Sequence, residues 1–268
     1  MNPMLVFDRP TVRHHRTRAA ATIPHVADIL RDAAERLIDR LDDTNRTFSQ
    51  ALDIGGRGII APLLRARGIH TIATDLSPRM TAVNGMPCVA ADEEFLPFAS
   101  NSFDLVIASL SLHWVNDLPG ALIQIRQTLR PGGLFLASLP ALGTLAELRQ
   151  ALTEAEAELT GGASPRVSPF PELRDCAHLL QRAGFALPVA DQEDIQVLYA
   201  DPFALLRDLR AAGETSALME RSRTPPPRML LPLALSRLSQ AEGRIPVKLR
   251  LAMMTGWSPD EKDQGPHR

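Results

Sequence analysis

Between Ala51 and Gly58 the sequence leaves few folding options. The run is Ala51-Leu52-Asp53-Ile54-Gly55-Gly56-Arg57-Gly58, and Ile59, Ile60, Leu63 and Leu64 follow at helical spacing. Apolar residues run into an acid, the chain turns through glycines, and a helix begins. This is the strand–turn–helix opening of a nucleotide-binding α/β unit. Glycines let the backbone take positive φ and let a ligand approach where a Cβ would collide. Amides at the start of the helix can hold an anionic group.

The next apolar run, Ile69 to Asp75, ends in an acid about twenty residues further on, the place from which a carboxylate accepts hydrogen bonds from ribose hydroxyls. The G-x-G-x-x-G spacing of dinucleotide sites is absent, and the acid inside the turn, Asp53, suits S-adenosylmethionine (SAM) better. Two further runs end in polar groups: Met86 to Asp92 and Phe103 to Ser109. Strand C-ends are where open parallel sheets bind ligands. Asp53, Asp75, Asp92 and Ser109 therefore converge on one crevice. Asp92 can accept from an adenine amino group, with Leu76 and Phe95 as apolar walls.

Strands alternating with helices predict an α/β fold, doubly wound around a seven-stranded, mostly parallel, Rossmann-like sheet. The alternation Val247, Leu249, Leu251, Met253 marks a last strand, expected to be antiparallel. Residues 1–47 form an arm and an amphipathic helix that packs on the core, 48–257 the main domain, and 258–268 a polar tail. Insertions at about 144–184 and 201–242 supply a helical cap.

The chain of 268 residues is 45% hydrophobic, enough for one large core, and its net charge of −2 gives no broad grip on nucleic acid. The first twenty residues are different. Arg9, Arg13, Arg16 and Arg18 stand with His14 and His15 against one acid, Asp8. Such a run predicts a solvated tail, with an arm over a site as the alternative. Cys88 and Cys176 are isolated and lack metal spacing, which suits a reducing compartment. No apolar run approaches the roughly 18 residues of a membrane span. The expected location is the cytoplasm of a bacterium, or the mitochondrial matrix in a eukaryote.

The turn, Asp75, Asp92-Glu93-Glu94-Phe95-Leu96-Pro97-Phe98, Phe103-Asp104-Leu105-Val106 and Leu129-Arg130-Pro131-Gly132-Gly133 together resemble class I SAM-dependent methyltransferases. Phe7-Asp8-Arg9, the stretch from Ser109 to Pro119, Ser164 to Phe170, and Asp194 to Tyr199 narrow the resemblance. They are similar to the arginine hydroxylases that assemble respiratory complex I and, more distantly, to the malonyl-carrier-protein methyltransferases of biotin synthesis. The resemblance implies SAM held by Asp53, Gly55, Gly56, Gly58, Asp75, Leu76, Asp92, Glu93 and Ser109. It also implies a protein substrate, an arginine on an NADH-dehydrogenase subunit.

His113, Arg166, Asp194, Tyr199 and Glu214 are the candidate substrate contacts, since paired carboxylates suit a guanidinium fork. Methylation of a small or carrier-bound carboxylate, and a non-catalytic assembly factor with a degenerate site, are the alternatives. The family turn reads D-x-G-C-G-x-G, whereas Asp53-Ile54-Gly55-Gly56-Arg57-Gly58 is one residue shorter, which leaves the strength of SAM binding open. No nucleophile–base pair or iron-ligand pattern identifies a catalytic residue.

Overall fold

A computed structural model describes residues 5–222 and 224–260; the end of the expected polar tail, 261–268, lies outside them. Five strands run parallel: β1 (Gln50–Ile54), β2 (His70–Asp75), β3 (Cys88–Ala90), β4 (Phe103–Ser109) and β5 (Leu129–Pro140). β7 (Ile245–Trp257) lies antiparallel between β5 and β6 (Ala186–Tyr199). All seven strands form one sheet in the order β3-β2-β1-β4-β5-β7-β6. The order reverses between β1 and β4, so the crevice beyond their carboxyl ends is the switch point of the sheet.

β4 is apolar on both faces because both are covered. Leu105 and Ile107 pack with α2 (Ala27–Asp42) and α3 (Ile60–Ala66). Val106 and Ala108 pack with α5 (Leu118–Thr128) and α7 (Leu173–Arg182). A third cluster joins α6 (Ala146–Thr160), α8 (Pro202–Ala211) and α9 (Leu230–Ser236) to Tyr199 and Val247.

The solvated tail expected at the N-terminus is not what forms; the structure is closer to the alternative, an arm laid over the strand ends. Residues Arg9–Ala19 make a helix, α1, capped by Asp8, whose side chain accepts from the Thr11 amide. Phe7 meets the Trp114 ring edge-on at 5.3 Å, and Asn116 Oδ1 accepts from the Val6 and Phe7 amides at 2.8 Å each. These contacts hold the arm down, and α1 lies along the carboxyl ends of the strands with Arg16 only 2% exposed.

Candidate cofactor crevice and the cavity beside it

Asp53 is the penultimate residue of β1 and is fully buried. Its Oδ2 accepts from the Ala61 amide at 3.0 Å, while Oδ1 has no partner. A Cβ on Gly56 would lie 2.0 Å from Asp53 Oδ2, so only glycine fits beside that carboxyl. Gly55 takes φ +68°, and a Cβ there would meet Ser111 Cβ at 2.5 Å. The Gly58 amide donates to Asn84 Oδ1 at 2.7 Å, which ties the turn to the end of α4 (Pro78–Val83). Burial pushes the Asp53 carboxyl up to about 8, and the neighbouring charge of Asp75 adds to the shift.

Asp75 closes β2. Its Oδ1 accepts from the Ser77 amide at 2.8 Å, and Oδ2 lies 3.6 Å from Arg16 Nη1, without a hydrogen bond at either atom. Burial holds its carboxyl above the ordinary range in spite of Arg16. One α1 turn pair earlier, Arg9 bridges Asp92 and Glu93 and donates to the Trp114 carbonyl at 3.1 Å. Leu76 packs into the cluster of Phe7 and Trp114. Phe95, by contrast, is 75% exposed and forms no wall. Ser109 Oγ lies 3.4 Å from Ser138 Oγ on β5.

Glu214 marks the second half of the site. Its Oε2 accepts from His113 Nε2 at 2.7 Å and from Trp114 Nε1 at 2.8 Å, and Arg57 Nη2 lies 2.6 Å from Oε1. Burial opposes the charge of Glu214, but His113 and Arg57 outweigh it, and the carboxyl stays well below its usual range. An ionised carboxylate only accepts, so Nε2 carries the proton; burial keeps the His113 ring neutral to lower pH than usual. Arg57 leaves the glycine turn with φ +51° and also donates to the Leu110 carbonyl at the end of β4. Burial, reinforced by Arg16, pushes its guanidinium down to about 10. This one side chain links the turn to Glu214.

A cavity of about 470 Å³ opens from Arg57, His113, Trp114 and Glu214 between the sheet and α2, α6 and α8. Tyr199 lines it and donates from its hydroxyl to Asp208 at 3.0 Å. Arg166 lines it too, but Glu156 accepts from both Nε and Nη2, at 2.9 and 2.5 Å, so its guanidinium is already engaged. Asp194 does not reach the cavity. It sits on the edge strand β6, 3.7 Å from Lys248 Nζ, because that side of the strand faces outward.

A sequence profile described as a methyltransferase domain matches residues 14–188. The mitochondrial arginine-hydroxylase NDUFAF5 of Danio rerio is 38% identical over 98% of this chain and 86% of its own length. The chain belongs to the class I SAM-dependent methyltransferase family. Malonyl-[acyl-carrier protein] O-methyltransferase of Xylella fastidiosa (strain M23) is 34% identical over 95% of this chain and 89% of its own. The solved structure of YcgJ from Bacillus subtilis shares the fold at a TM-score of 0.58 and 15% identity, covering 84% of this chain and 98% of that one.

Within this methyltransferase fold, Arg9, Arg16, Arg57 and Trp114 are the site residues that motif reading missed. A signal existed for two of them. Arg9, Val12, Arg16 and Ala19 recur at i, i+3, i+7 and i+10, the spacing of one helix face. Val12, Arg16 and Ala19 are buried, and two of the four positions of that face carry charge. Among the described residues, no group of three or more His, Cys, Asp or Glu could hold a metal ion, and no helix is long and apolar enough to cross a membrane.

Proposed function

We propose that this chain binds SAM in the crevice at Asp53, Asp75 and Asp92 and hydroxylates an arginine of an NADH-dehydrogenase (complex I) subunit. The observation that carries the acceptor is Glu214. A half-buried carboxylate, braced by His113 and Trp114, pairs with one guanidinium, that of Arg57, whose place a substrate arginine would take. The likeness of nearly the whole chain to an arginine hydroxylase supports the same chemistry. The reading places the protein in the cytoplasm of a bacterium or in the mitochondrial matrix.

The residues present fit SAM. Unpartnered polar atoms of Asp53, Asp75, Arg16 and Ser111 surround a turn that admits no Cβ at Gly55 or Gly56. Such orphaned buried atoms cost free energy unless a ligand satisfies them. Asp75 would take the ribose hydroxyls, Asp92 the adenine amino group, and Arg16 the methionine carboxylate. Bound SAM supplies a sulfonium with an activated methyl group. The short turn directs Arg57 toward this end of the crevice, so the expected affinity is modest.

Hydroxylation converts a C–H bond to C–OH with one atom of dioxygen; the other atom leaves as water after taking up two electrons and two protons, and dioxygen and the electrons reach the site from outside the chain. The chain's own residues bind the guanidinium, orient it and exclude water. A second reading is methylation of a carboxylate, favoured by the Xylella relative and by the cationic Arg57 and Arg16 at the crevice. Intact-peptide mass spectrometry of complex I subunits from cells with and without the protein separates the two. Loss of one oxygen from one arginine peptide in the deletion is the expected result. No change on any subunit removes this substrate, and loss of a methylene instead supports methylation.

A further inference from the structure

The cavity beside Glu214 is larger and more apolar than an arginine side chain requires. Its volume of about 470 Å³ falls within the range of about 300–1,000 Å³ that holds drug-sized ligands. Arg57, His113 and Glu214 form a polar end at the glycine turn, and Arg166, Tyr199, Asp208 and Arg210 line the cavity elsewhere. Much of the wall is apolar: Leu148 and Leu152 from α6, Leu205 and Leu209 from α8, and Val247 and Leu249 from β7. At the rim, Leu231 lines the cavity and is 39% exposed, and nearby Met229 is 59% exposed, so the apolar surface continues outward.

Resting on the arginine reading of Glu214, we propose that the substrate is an arginine flanked by large apolar side chains, which the cavity takes in with it. The guanidinium goes to the end of the cavity at Glu214, since Asp208, another carboxylate of the lining, accepts from Tyr199. A chain entering past α9 then lays its neighbouring residues against the leucine wall. A polar flanking sequence would leave that wall wet and lose its own hydration, and an apolar one gains by the same burial. Arginine itself, with a short apolar stem, would leave most of the space unfilled.

Peptides of equal length test this, with the full-length chain saturated in SAM and binding read by fluorescence anisotropy. One pair carries a central arginine with leucine or serine at the positions on each side; the other pair replaces arginine by lysine. Leucine flanks are expected to tighten arginine-peptide binding by at least about tenfold, the effect of burying one such side chain. Leu209→Trp, which fills the cavity, is expected to remove that gain.

Unchanged SAM affinity shows that the Leu209→Trp variant is folded, and the wild-type series decides the matter even if the variant fails. Equal gains for arginine and lysine peptides support the apolar cavity and overturn the arginine reading. A preference for arginine with no gain from leucine overturns this inference and leaves the arginine reading intact. Tight binding of a fluorescent fatty acid, with no gain from leucine flanks, also overturns it and assigns the cavity to an acyl chain.

Discussion

At the scale of single residues, Asp53 shows what an apolar fold imposes on a ligand site. Its carboxyl is sealed at the end of β1 with one oxygen unpartnered, and burial moves it from 3.8 to about 8. Between these values the folded chain holds a proton that the unfolded chain has released. Stability of the ligand-free protein therefore falls as pH rises from about 4 to about 8, by a few kcal/mol at most. Asp53→Asn keeps the neutral shape and removes the titration. Urea unfolding at pH 5 and pH 8 is expected to show a smaller loss in the variant than in the wild type; equal losses would contradict this role for burial.

At the scale of elements, α1 covers the carboxyl ends of the first three strands. Its Arg9 and Arg16 face acids at the ends of the first three strands, and Thr17 Oγ1 lies 2.8 Å from Ser77 Oγ. If SAM takes the ribose contact at Asp75 and the carboxylate contact at Arg16, both sides of the crevice close on one ligand. Hydrogen exchange in residues 9–19 is then expected to slow when SAM is added. Unchanged or faster exchange would show that the ligand passes α1 by or displaces it.

Motif reading found the strands and missed this helix for a physical reason. β4 spans Phe103–Ser109 as expected because an apolar run bounded by turns has few alternatives. In α1, buried guanidinium groups occupy positions where apolar residues would normally announce a face. β6 runs from Ala186 to Tyr199, and its first half carries no clear apolar alternation. Its residues include Asp191 and Glu193, which pair with Arg40 and Arg36 on α2, so charge conceals the strand periodicity. Asp194 was expected in the site from the Asp194–Tyr199 resemblance and from the fit of carboxylates to a guanidinium, but no local pattern tells which way an edge-strand acid points.

At the scale of the whole molecule, one sheet brings distant segments to a single edge. β1 and β2 deliver Asp53 and Asp75, the N-terminal helix delivers Arg16, and the segment after α8 delivers Glu214. Arg57 spans the two halves from inside the turn. Together these groups make that edge the expected SAM site. Calorimetric titration of SAM into the wild-type chain and into Asp75→Asn tests it most directly. One SAM per chain is expected for the wild type, with affinity reduced about tenfold or more in the variant, as for lost hydrogen bonds to a charged acceptor worth about 1.5–3 kcal/mol. No heat from the folded wild type, or equal affinity in both proteins, would contradict it.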